Sequence, residues 1–143
     1  LAACRAALPV EIAVCAAAVA DWRVTAAAQS KLKKDGGTPP ALELTQNPDI
    51  LAALSQPGPE RPSLVIGFAA ETEKVVEQGR AKLARKGCDW ILANDVAPGT
   101  ATFGGNDNVI HRITAEGVDD WPRMSKAEVA ERLCREIAAT LVR

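Results

Sequence analysis

Two apolar runs bracket a helix-length charged segment in the middle of the chain. Ser63-Leu-Val-Ile-Gly-Phe-Ala69 follows Arg61-Pro62, and Cys88-Asp-Trp-Ile-Leu-Ala93 ends at Asn94-Asp95. Between them, Glu71 to Lys86 is acidic at its start and basic at its end, and Gly87 stops it. That is the pattern of a helix whose terminal charges complement its dipole and whose C′ residue is glycine. Strand, helix and strand in this order form a crossover, which joins neighbouring parallel strands. The centre of the fold is therefore an α/β sheet, and the rest of the chain must extend or cover it.

The flanking segments fit that frame. Val10 to Ala20 follows Pro9 and is almost uniformly apolar, the pattern of a strand covered on both faces, ending at Asp21-Trp22-Arg23. Leu1 to Leu8 reads as the last turns of a helix. Asn47-Pro48-Asp49 predicts a helix with Asn47 as N-cap, Pro48 at N1 and Asp49 in the first turn, running to about Gln56 before Pro57-Gly58-Pro59. Ser125-Lys-Ala-Glu128 is a capping box, followed by an apolar stripe at Val129, Leu133, Ile137 and Leu141. Ala41 to Thr45 alternates like an exposed strand. Asn108 to Thr114 and Val118 to Trp121, joined through Glu116-Gly117, read as a C-terminal hairpin.

Composition narrows the chemistry. With 143 residues, 48% of them apolar, the chain is long enough for one domain with a core. Its formal charge of −1 gives no basic excess for a nucleic-acid partner, and Asp21 and Arg23 interrupt the only run that approaches a membrane span. Cys4, Cys15, Cys88 and Cys134 lack C-x-x-C spacing and read as buried free thiols in a reducing compartment, the cytoplasm. Tyrosine is absent, so no tyrosyl acid acts here. The single histidine, His111, lies in a short apolar strand without a nucleophile motif, and neither a P-loop nor a complete G-x-G-x-x-G is present.

In an open parallel sheet, ligands bind beyond the carboxyl ends of the strands. Those ends carry Asp21 to Arg23, Phe68 to Glu71 and Asn94-Asp95. Lys31, Lys33 and Lys34 lie in the loop after the first strand, and Lys82 and Lys86, four residues apart, share a face of the crossover helix. Lysines in such places are ordinarily a solvated surface. Converging on one crevice, they would suit phosphates. Like charges at i,i+4 cost an isolated helix a few tenths of a kcal/mol, and a bound anion would reverse that sign. Asp21, at the end of a buried strand, would need a donor, a metal or a ribose.

The blocks Ala17-Ala-Val-Ala-Asp-Trp-Arg23, Lys31-Leu-Lys-Lys34, Asn47-Pro-Asp-Ile50, Gly67-Phe-Ala-Ala-Glu-Thr72, Lys82 with Lys86, and Ala93-Asn-Asp-Val96 resemble, in order and spacing, those of bacterial phosphopantothenoylcysteine synthetase. This family forms the C-terminal half of a bifunctional synthetase/decarboxylase of coenzyme A biosynthesis. The resemblance implies a Rossmann-like three-layer α/β domain with a mostly parallel sheet. Residues 1–143 would be a partial synthetase domain that lacks the family's N-terminal strand and glycine-rich turn. It implies a ligase in which the 4′-phosphopantothenate carboxylate attacks the α-phosphate of CTP with Mg²⁺, giving an acyl-cytidylate that L-cysteine converts to the amide. FMN would belong only to the decarboxylase half, and the full domain would be a homodimer.

Residue by residue, the resemblance implies that Lys31 is catalytic, forming and holding the acyl-cytidylate. Nucleotide contacts would come from Ala16, Ala17, Asp21, Lys31, Pro48, Asp49, Ile50, Leu51, Phe68, Lys82 and Lys86, with Asp21 also a candidate for the metal. Cys15 stands where the family often has glycine, and Asn106 stands where Phe103-Gly-Gly-Asn-Asp-Asn108 would be expected to carry aspartate. Two alternatives remain at this point. One is a Rossmann-type nicotinamide-dependent reductase, which the missing Tyr-x-x-x-Lys and glycine fingerprint disfavour. The other is a fragment that binds a nucleotide without catalysis.

Overall fold

The computed structural model describes residues 1–26, 41–100 and 105–142. Helix α1 (Ala2–Ala6) leads into strand β1 (Ile12–Cys15), and a ribbon follows from β2 (Trp22–Val24) and β3 (Leu44–Gln46). Helix α2 (Ile50–Ser55), strand β4 (Leu64–Glu71), helix α3 (Val75–Lys86) and strand β5 (Trp90–Asp95) form the centre. The chain then adds β6 (Asp107–Asn108), β7 (His111–Ile113), β8 (Val118–Asp120), β9 (Met124–Ser125) and helix α4 (Lys126–Leu141).

The main sheet has the order β1-β4-β5-β7-β8. Strands β1, β4 and β5 are parallel, and the hairpin β7–β8 continues the sheet antiparallel to β5. The expected crossover and hairpin are both present. Strands β6 and β9 pair separately, placing Asp107 opposite Ser125 at the start of α4.

Side-chain alternation along each strand divides the core into two layers. Leu64, Ile66, Trp90, Leu92, Ile110 and Trp121 face α4, which supplies Val129, Leu133 and Ile137. Val65, Ala69, Ile91, Ala93 and Ile113 face the other way, under Leu51 and Leu54 of α2, with Val75, Val76 and Leu83 of α3 packed against them. The result is a three-layer α/β domain. Gly67 and Gly79 let the helices approach the sheet: a Cβ on Gly67 would collide with Leu51, and one on Gly79 with Ile113 and Ala93. The Arg61 guanidinium closes the opposite ends of β4 and β5, binding Asp89 at 3.0 Å and the Ser55 carbonyl at 3.1 Å.

Several expectations are corrected. The first strand is four residues long instead of running through Ala20. Val14 is exposed and Ala16 to Ala20 lie on the surface; among the described residues β1 is at the edge of the sheet and only partly covered. Helix α3 starts at Val75, not Glu71, because β4 continues to pair through Glu71 opposite Asp95 and Val96 donates its N–H to the Glu71 carbonyl at 2.8 Å. Trp22 and Arg23, read with Asp21 as the end of the first strand, instead form with Val24 a strand paired to Leu44–Gln46. The stripe of α4 is buried at Val129, Leu133 and Ile137, but Leu141 is exposed at the frayed end. All four thiols are free, yet only Cys88 is buried; Cys134 is on the surface, and Cys4 and Cys15 are half-buried.

Candidate anion-binding site beside helices α2 and α3

Helix α2 is initiated by Asp49, not by Asn47. The Asp49 side chain accepts the Ala52 N–H at 2.9 Å while its backbone stays extended, so Pro48 precedes the helix instead of opening it. Asn47 does different work. Its side-chain amide donates to the Ala20 carbonyl at 2.7 Å, its backbone N–H donates to the Asp21 carbonyl at 2.8 Å, and its side-chain oxygen accepts from Arg23 at 2.9 Å. These bonds tie the segment after β1 to the start of α2. An amide, which both donates and accepts, can bridge two strands in a way a carboxylate cannot. The sequence Asn-Pro-Asp offers two capping side chains, and the partners on Ala20 and Arg23 decide between them.

The second carboxylate oxygen of Asp49 binds the Lys86 ammonium from the last turn of α3. The Lys86 side chain is 18% exposed and that of Asp49 41%. Lys82, one turn earlier on the same helix face, is also half-buried. The ordinary solvated-surface reading of this lysine pair does not hold. Burial pushes the Asp49 carboxyl upward, but the Ala52 N–H and the Lys86 ammonium outweigh it and hold its pKa below the usual value. Beneath, burial, together with Cys4 and Asp49, pushes up the Cys15 thiol, and burial raises Cys88 to about 11, so both remain protonated and unreactive at neutral pH.

Asp49, Ile50, Leu51 and Lys86 thus meet at one corner, with Lys82 one turn earlier on α3, Leu51 over Gly67 and Cys15 paired beside it on β1. Pro48 is exposed next to them. Ala16 and Ala17 lie on the surface just after β1, and Asp21 is exposed before β2, held by its backbone and not at the end of a buried strand. The burial argument for Asp21 as a metal or ribose ligand therefore fails. Phe68 is half-buried on the α4 side of β4, the face opposite Leu51. Lys31, Lys33 and Lys34 lie outside the described residues. Among the described residues, no three or more carboxylate, thiol or imidazole side chains are grouped to hold a metal ion. His111 bonds Asp120 across the hairpin at 2.6 Å, two strands away from β4.

Residues 1–141 match the family model described as DNA/pantothenate metabolism flavoprotein C-terminal domain. The chain is 40% identical over 122 residues to the coenzyme A biosynthesis bifunctional protein CoaBC of Vibrio cholerae, covering 84% of this chain and 30% of that protein. It is 39% identical over 131 residues to the CoaBC of Bacillus subtilis, covering 90% and 31%. The chain thus spans about a third of the length of these curated relatives. The crystal structure of a CoaBC C-terminal domain superimposes with a TM-score of 0.67 at 30% identity, over 92% of this chain and 55% of that one. A DNA/pantothenate metabolism flavoprotein from Streptococcus pneumoniae gives the same TM-score at 19% identity, a likeness of fold, over 91% of this chain and 63% of that one. By sequence and by fold, the chain belongs to the DNA/pantothenate metabolism flavoprotein C-terminal domain family.

Proposed function

We propose that this chain is part of a phosphopantothenate–cysteine ligase, a CTP-dependent acid–amino-acid ligase of coenzyme A synthesis acting in the cytoplasm. The observation that carries the reading is the meeting of Asp49 and Lys86, 37 residues apart in sequence. It gathers two of the family-matched blocks into one corner, and Asn47 ties a third, Ala17 to Arg23, to the same corner. The 30% identity to a CoaBC C-terminal domain supports the same conclusion. Residues 1–143 would then be a partial synthetase domain, its remaining ligand contacts lying in the part of the relatives that this chain does not span.

In this reading the reaction has two displacements. The carboxylate of 4′-phosphopantothenate attacks the α-phosphate of CTP and pyrophosphate leaves; the L-cysteine amine then attacks the acyl carbon and CMP leaves. Neither step requires a covalent nucleophile on the protein. What the protein must supply is orientation and positive charge where negative charge accumulates on phosphate oxygens. Lys82 and Lys86 are two such charges on a rigid helix, Ile50 is a half-buried apolar side chain at the start of α2 beside Asp49, and Lys31 is the proposed catalytic cation. Mg²⁺ would accompany the triphosphate as part of the substrate. Homodimerisation and FMN in a decarboxylase half belong to the whole relatives and are proposed only for a protein of that extent.

Calorimetric titration of the chain with CTP and then ATP in the presence of Mg²⁺ tests the nucleotide reading. Preferential binding of CTP is expected, and equal or absent binding of both sinks it. In a protein spanning the full synthetase domain, Lys31→Gln is expected to abolish pyrophosphate release from γ-labelled CTP when 4′-phosphopantothenate is present. Undiminished release would remove Lys31 from the mechanism.

A further inference from the structure

The Lys82–Lys86 pair does not wait for an anion with both charges unmet. Asp49 already holds one of them. Its carboxylate is placed by two constraints that have no bearing on a ligand: it caps α2 through the Ala52 N–H, and it lies at the end of a segment braced by Asn47. The lysine it binds is four-fifths buried, whereas among the described residues Lys82 makes no ion pair. The last turns of α3 therefore carry Lys82, Arg85 and Lys86, while Asp49 binds Lys86 and has Arg85 as its next cationic neighbour, a net positive corner with an internal anion in part of it.

We propose that Asp49 is a built-in counter-anion that a ligand's phosphate must displace from Lys86, so that the corner selects polyphosphates over monophosphates. The proposal rests on the nucleotide reading given above. A half-buried ammonium is costly to leave unpaired, so Lys86 exchanges partners instead of opening empty. A monophosphate, at about −1.5 to −2, exceeds the carboxylate by at most about one charge, and the carboxylate is already in place and gives up no translational freedom. The monophosphate gains little by the exchange. A di- or triphosphate can meet Lys82 and Lys86 together and offset the loss of the Asp49 contact. For a reaction that consumes a nucleoside triphosphate and leaves a monophosphate, such an anion would aid release of the spent nucleotide.

Asp49→Asn is a clean test because asparagine caps a helix as well as aspartate does while removing the charge. Asp49→Ser, which also caps but is too short to reach Lys86, guards against a new amide contact. Each variant would be titrated with CMP, inorganic pyrophosphate and CTP in Mg²⁺ at fixed ionic strength, and compared with the unaltered chain. Both variants are expected to bind CMP at least threefold more tightly, and the ratio of CTP to CMP affinity is expected to fall by a similar factor. Unchanged or weaker CMP and pyrophosphate binding by the variants overturns the counter-anion, even where the unaltered chain binds CTP well. Tighter pyrophosphate binding by the variants with no CTP binding by any form supports the counter-anion and removes the nucleotide reading. No binding of any probe by any form overturns both.

Discussion

Each face of the sheet carries a charged cluster, and the two are built to opposite ends. On the α4 face, Asp119 receives Arg132 at 3.2 Å and the Trp121 indole N–H at 2.9 Å, with Arg112 at 3.6 Å. Glu136 lies 3.5 Å from both Arg112 and Arg132. Arg112 stacks over Trp90 at 4.9 Å and Arg132 over Trp121 at 4.6 Å. Two guanidinium groups, two carboxylates and two indoles form a set with no net charge, although the buried Arg112 Nε has no hydrogen-bond partner. On the α2–α3 face the Asp49 carboxylate meets the Lys86 ammonium, and Lys82 and Arg85 add two further positive charges on the same helix. A balanced network has satisfied its own charges and holds helix to sheet, while an unbalanced one keeps attraction in reserve for a ligand. Residual charge, more than the number of charged groups, separates the structural cluster from the candidate site.

The largest expected effect tests the structural half. Trp121 is 2% exposed and joins the apolar layer, the Asp119 bond and the Arg132 stack. Trp121→Ala should cost about 3–5 kcal/mol of stability, the range for truncating a buried aromatic residue. Urea unfolding measures it, and a loss below about 1 kcal/mol would deny this cluster its structural role. Lys86→Gln should show the reverse profile. Its stability should change by no more than about 1 kcal/mol, as for a pair with one partner half exposed, while CTP affinity falls at least tenfold. A large loss of stability with unchanged affinity would make the two clusters alike.

How far the sequence disclosed these clusters follows from the kind of signal each leaves. The crossover, the hairpin and the α4 capping box rest on local patterns, and all three are present. Local pattern misplaced boundaries where a tertiary ladder competed: Glu71 suits a helix start by its charge, but pairing with Asp95 keeps it in β4. The Val10 to Ala20 run reads as a buried strand because alanine is apolar, yet small side chains on a surface segment cost little and declare no direction. Lys82 and Lys86 were recognisable as a pair from their spacing. That Asp49 would close on Lys86 was not, because no periodicity links residues 37 apart. The arginine–tryptophan set on the α4 face left no motif at all, since its members come from β5, β7, β8, the following turn and α4.

The smallest effect is the pH dependence of the Asp49–Lys86 contact, and it sharpens the contrast between the faces. The Asp49 pKa is lowered in the folded chain from an ordinary value of 3.8. A depressed carboxyl pKa contributes stability that is present above the unfolded value and is lost as pH falls through the folded one. Compared with Asp49→Asn, which keeps the cap but cannot form the ion pair, the unaltered chain should therefore hold a constant advantage near neutral pH. That advantage should shrink progressively below about pH 4. With 41% of the Asp49 side chain exposed, solvent screening limits it to roughly 0.5 kcal/mol. Urea midpoints of both proteins at neutral pH and at about pH 3 give the comparison directly. A neutral-pH advantage above about 2 kcal/mol would exceed what a screened surface pair supplies. It would make the contact a structural clasp like that of Asp119, too tight for a phosphate to displace. A small advantage that disappears in acid is what an exchangeable counter-anion requires: enough to occupy Lys86 when no ligand is bound, and too little to resist a polyphosphate.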